Sequence, residues 1–143
     1  MKQTCLFTLF FVLFLCGCST KLPVVPVSGI VTLDGKPLEG FQVFFQPIHE
    51  ETSKTMLTSS GLTNVQGKFL LKTVEENPRN GTSVGKYRVI IGWVDPDSML
   101  LGDSEPQRQP PVKIPENVQT EGIIFIVPPN GTQTANFHLT TEN

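Results

Sequence analysis

The chain of 143 residues has three cysteines, at positions 5, 16 and 18, and none after them. A disulfide framework and a cysteine-based metal site are therefore excluded from everything that follows residue 18. Histidine is almost as scarce, with only His49 and His138. One Tyr and one Trp, Tyr87 and Trp93, are the only aromatic residues besides Phe. Charged residues make up 17% and the formal net charge is −2, so no strong field invites nucleic acid. No apolar run reaches the roughly 20 residues that a membrane-spanning helix needs. Long helices are disfavoured too, because twelve Pro and twelve Gly interrupt the chain at short intervals. A proline in a helix interior costs about 3 kcal/mol.

The chain does have one compact apolar run. After Lys2, "CLFTLFFVLFLC" is apolar throughout except for one Thr. Its length suits a secretory h-region of about 7 to 15 residues. It leads into Leu15-Cys16-Gly17-Cys18. This resembles the bacterial lipobox, with an aliphatic residue at −3, a small residue at −1 and Cys at +1. The resemblance implies a signal peptide over 1–17, cleavage after Gly17 and acylation of Cys18. Membrane lipid would then be the first partner, held by acyl chains that each contribute about 0.8 kcal/mol per buried methylene. Residues 18–26, which include "STKLPVVP", read as a short extended tether. Ser19 follows the Cys where inner-membrane retention in well-studied lipoproteins uses Asp, so the outer membrane is favoured over the inner.

From Val27 to the end, alternation dominates. "VSGIVTL" puts Val27, Gly29, Val31 and Leu33 on one face, and Asp34-Gly35 is a turn signal. "FQVFFQP" turns Phe41, Val43 and Phe45 inward. "TMLTSSGLT" is polar enough for an edge strand. "NVQGKFLLKT" carries Phe69 and Leu71 inward. "GKYRVIIGWV" alternates Tyr87, Val89, Ile91 and Trp93 against Arg88, Ile90 and Gly92. "GIIFIV", apolar throughout, reads as a central strand, and "QTANFHLT" closes with Ala135, Phe137 and Leu139 inward. Seven half-buried strands without a helix of useful length predict an all-β sandwich over 27–143. Residues 74–84 and 95–111 read as polar loops. A loop as long as the second is either functional or mobile, and Met99, Leu100 and Leu101 are placed to dock it locally.

"SGIVTLDGKPLEGFQVFF" resembles the opening of carboxypeptidase regulatory-like domains. Gly29, Asp34, Gly35, Pro37, Leu38, Gly40 and Val43 carry the likeness. "TNVQGKFLL" and "VGKYRVIIGW" resemble that family's next segments through Thr63, Gly67, Phe69, Gly85, Tyr87 and Val89, with Val84 in place of a Pro. The closing stretch is similar to bacterial lipoproteins of this type at Ile114, Pro115, Gly122, Asn136, Phe137 and Leu139, with Val118 near the position of their Tyr. The resemblance implies a transthyretin-like or immunoglobulin-like β-sandwich. It also implies a structural or adhesive accessory domain in the cell envelope, with no catalytic residues, cofactor or metal, and with an envelope protein or a glycan as partner.

The residue types agree with a non-enzyme. His138 alternates outward between Phe137 and Leu139, and His49 lies beside Glu50 and Glu51 without converging ligands. Ser83-Val84-Gly85-Lys86 matches an acyl-enzyme nucleophile motif in letters, but a strand follows it rather than a helix. Asp95, Asp97, Asp103 and Glu105 lack the spacing and the Gly of a twelve-residue calcium loop. Asn80-Gly81-Thr82 and Asn130-Gly131-Thr132 read as turns. A carbohydrate-binding module is the alternative, since sugar-binding sandwiches present exposed aromatic platforms. With Trp93 and Tyr87 on one inward face, that reading needs the face to be open to solvent.

Overall fold

A computed structural model describes residues 21–48, 55–95 and 108–141. Among them are nine strands and one short helix. The strands are β1 (Ser28–Leu33), β2 (Lys36–Pro37), β3 (Phe41–Pro47), β4 (Ser59–Leu62), β5 (Lys68–Leu70), β6 (Lys72–Thr73), β7 (Gly85–Trp93), β8 (Ile123–Val127) and β9 (Phe137–Leu139). The helix α1 (Glu116–Thr120) lies between β7 and β8.

The strands form two sheets. In one, β1 is the hub, pairing antiparallel with β2 and β5 and parallel with β9. The other has the order β6-β4-β3-β7-β8 and is antiparallel throughout. The chain is an all-β sandwich, as the alternation predicts. Val31, Val43, Phe45, Tyr87, Val89 and Ile91 are fully buried, with Phe69, Phe137 and Leu139 close behind. Each such side chain contributes roughly 1.5–3 kcal/mol by leaving water. Phe137 of the first sheet meets Phe45 and Phe125 of the second edge-on and stacks on Phe69 of its own sheet.

Local chemistry explains the tightest connections. Asp34 and Gly35 both have positive φ, at 50° and 79°, as a two-residue type I′ hairpin between β1 and β2 requires. Gly29 is needed for another reason. A Cβ there would lie 1.9 Å from the carbonyl oxygen of Ala135, so only Gly lets the C-terminal segment close against β1.

Three expectations change. "NVQGKFLLKT" is two strands, because the chain leaves one sheet at Leu71 and enters the other at Lys72. With the two-residue β2, this raises the strand count from seven to nine. "TMLTSSGLT" does not end its sheet, since β4 pairs with β3 on one side and β6 on the other. "GIIFIV" is the edge rather than the centre. Its inward residues Ile123, Phe125 and Val127 meet the core, while Ile124 and Ile126 face out. Its unbroken apolar run comes from two faces with different neighbours. Pro115 precedes a five-residue helix that buries Val118 under β7, in keeping with the expectation of no helix of useful length.

Residues 22–26, read as tether, are bound to the sandwich. Val25 exchanges two hydrogen bonds with Thr82, at 2.8 and 3.0 Å, and Arg79 Nη1 donates to the Leu22 carbonyl at 2.6 Å. His49, the loop residues 96–107 with Met99, Leu100 and Leu101, and the N-terminal segment with Cys18 lie outside the described residues.

Candidate functional site

The partner strands β3 and β7 place Phe41 opposite Trp93 at one end of the five-stranded sheet. Beyond them the chain runs on to Asp95, and Arg108–Ile114 passes back before α1. These pieces enclose a cleft of about 390 Å³, lined by Phe41, Trp93, Asp95, Arg108, Lys113, Ile114 and Gln119 among others. Asp95 is buried, and its Oδ2 accepts the Arg108 backbone N–H at 3.1 Å. That bond joins the two described residues that flank positions 96–107. Gln119 donates to the Ile114 carbonyl at 3.2 Å, which holds the amide against the cleft wall. Val112 and Lys113 also line a second hollow of about 440 Å³, whose far wall is the β1–β2 hairpin with Asp34 and Lys36.

The cleft offers an indole, two cationic side chains, a carboxylate and an amide. Among the described residues its lining holds no Ser, Thr, Cys or His. Asp95 and Trp93 were singled out from the sequence. Arg108, Lys113 and Gln119 were not, because chain return rather than spacing brings them to the indole.

Ser83 is elsewhere. Its Oγ lies 2.6 Å from Tyr87 Oη and accepts the Leu57 N–H at 2.9 Å. Tyr87 Oη is also 3.1 Å from the carbonyls of Leu57 and Ser83. Ser59 Oγ donates to Thr82 Oγ1 at 2.8 Å, and Thr82 Oγ1 reaches the Leu57 carbonyl at 3.2 Å. This buried cluster is internally satisfied, as a core network must be to avoid the cost of unpaired polar groups. The tie from Tyr87 to the carbonyl four residues upstream resembles the tyrosine corner of Greek-key sandwiches. Ser83 is therefore a structural hydroxyl. His138 is exposed, and its Nδ1 lies 2.8 Å from Thr32 Oγ1.

The chain matches no protein-family model, and no curated protein or solved structure is significantly similar to it. Function is therefore argued from the residues themselves. Among the described residues no group of three or more His, Cys, Asp or Glu converges as metal ligands do. No described helix is long and apolar enough to cross a membrane. Asp97, Asp103 and Glu105 are outside the described residues, which include only Asp95 of that acidic set.

Among the described residues two carboxylates are clearly perturbed. Hydrogen bonds from the backbone N–H and the hydroxyl of Thr141 hold Asp34 below the ordinary Asp value. Hydrogen bonds from Arg79 and then Thr73 lower Glu75. Both stabilise the ionised form and fasten chain ends: Asp34 the C-terminal residues, and Glu75, through Arg79, the N-terminal ones.

Proposed function

We propose that this protein is a lipid-anchored component of the bacterial cell envelope, whose β-sandwich has a structural or protein-contact role and no catalysis of its own. The observation that carries the reading is the lipobox-like Leu15-Cys16-Gly17-Cys18 placed directly before a folded domain. Arg79 grips the chain at Leu22, four residues after Cys18. Four extended residues span at most roughly 14 Å. An acyl group on Cys18 would therefore hold the sandwich close to the bilayer surface rather than on a long stalk. The likeness to transthyretin-like carboxypeptidase regulatory-like domains supports the same reading. So does the cleft, whose described lining offers an indole, cationic side chains and an amide for contact.

Replacing Cys18 with Ala tests the anchor. The Cys18→Ala protein is expected in the soluble fraction, without incorporation of a labelled fatty acid. Continued labelling would remove Cys18 from its role. Cross-linking in intact cells followed by mass spectrometry would then identify the envelope component in contact.

One observation favours a second reading, carbohydrate binding. Trp93 is only half-buried and lines the cleft beside Asp95, Arg108 and Gln119. Tyr87 does not share that role, since it is fully buried with its hydroxyl used internally. Glycan binding lost on Trp93→Ala, with folding retained, would establish a sugar site. A glycan array without signal would end that reading.

A further inference from the structure

The two ends of the five-stranded sheet are treated differently. One end is β6, two residues long and carrying Lys72. Short, charged strands are how proteins blunt a sheet edge. The other end is β8, five residues that pair with β7 without a bulge. It contains no charge, Pro or Gly. Its outward residues Ile124 and Ile126 are 52% and 68% exposed. Among the described residues, the backbone groups on its outer edge meet no backbone partner. None of the usual protections is present within the strand.

Unpaired N–H and C=O groups in a row call for another strand, not for a small ligand. We propose that this edge joins two copies of the chain, β8 pairing antiparallel with β8 of the second copy about Phe125. The two five-stranded sheets would then form one continuous sheet.

Three features select a second copy. First, antiparallel self-pairing about Phe125 uses all five residues and stops before Pro128. It sets Ile124 against Ile126 of the second copy, twice, by symmetry. Second, like charges directly opposite would destabilise a self-pair, and β8 carries none. Third, β6 at the far side of the same sheet offers only two residues and already meets Arg79 and Asn80 there, so this sheet does not grow head-to-tail through β8 on β6, and association closes at the dimer. The contact is small. A five-residue edge and two isoleucines fall short of the roughly 1,200–2,000 Å² of a standard stable interface. The dimer is therefore weak and concentration-dependent.

The test is sedimentation velocity of the full chain in detergent over a concentration series, with three variants. The unaltered chain should show a reversible monomer–dimer equilibrium. Ile124→Lys/Ile126→Lys sets like charges opposite each other and should weaken the dimer by roughly tenfold or more. Ile124→Lys/Ile126→Glu sets opposite charges face to face in this register only, and should restore much of the affinity. Circular dichroism checks folding. Should a double variant fail to fold, Ile126→Lys alone, at the more exposed position, must still weaken the dimer. A chain monomeric at every concentration would overturn the proposal. So would a dimer indifferent to the charges, two double variants equally weak, open-ended assemblies, or a different protein's strand on β8.

Discussion

Gly29 shows how much one absent atom can decide. Its φ is unremarkable, and an extended strand accepts any residue there. The constraint is the carbonyl of Ala135, which passes where a Cβ would stand, 1.9 Å away. That carbonyl belongs to the segment that brings β9 alongside β1, and the Ala135 N–H donates to the Ser28 carbonyl at 3.1 Å. Gly29→Ala must push two backbones apart, and backbone cannot rotate away as a side chain can. Overpacking of this kind costs about 1–3 kcal/mol or more. In urea the midpoint of Gly29→Ala should fall while the slope stays unchanged, since the native state remains compact. The alternation placed Gly29 inward, but it could not tell which strand would lie over it.

At the scale of an element, the N-terminal strap of residues 22–26 is the instructive case. Its two prolines and lack of alternation give no reason to expect docking. It docks because Thr82 offers both of its backbone groups to Val25 and because Arg79, bridged to Glu75 at 3.2 Å, reaches the Leu22 carbonyl. Glu75 has a lowered pKa in the folded chain, chiefly through its hydrogen bond from Arg79. Its contribution is therefore present above its unfolded pKa and lost as pH falls through the lower folded value. The protection factor of the Val25 amide against hydrogen exchange should be steady from neutral pH down to the ordinary carboxylate range and fall below it. Glu75→Gln should lose part of that protection at neutral pH as well. The global Tm should hardly respond, because exposed ion pairs contribute little to overall stability.

The whole molecule is held by contacts between sheets, and Phe137 is central among them. It comes from the three-residue β9 yet touches Phe45 and Phe125 across the core and Phe69 beside it. Removing it takes partners from both layers at once. Phe137→Ala should therefore destabilise by about 3–5 kcal/mol, the range for a buried Phe truncated in a packed core. Thermal or urea unfolding followed by two probes should show one transition at a lower midpoint.

Much of this architecture could be read along the chain. Period-two alternation determined which residues of β1, β3, β7 and β9 face inward, because a strand turns successive side chains to opposite sides. The Asp-Gly pair determined the first hairpin, because both turn positions demand positive φ. The composition determined an all-β sandwich without cysteine chemistry. What alternation cannot carry is the neighbour across a sheet or a cleft. Whether "GIIFIV" is central or an edge depends on a partner strand that its own residues do not encode. The split at Leu71, the parallel pairing of β9 and the placing of Trp93, Arg108 and Gln119 around one cleft depend likewise on long-range return of the chain. Local spacing sets the faces of strands, while only closure of the chain in space sets their order and what the cleft contains.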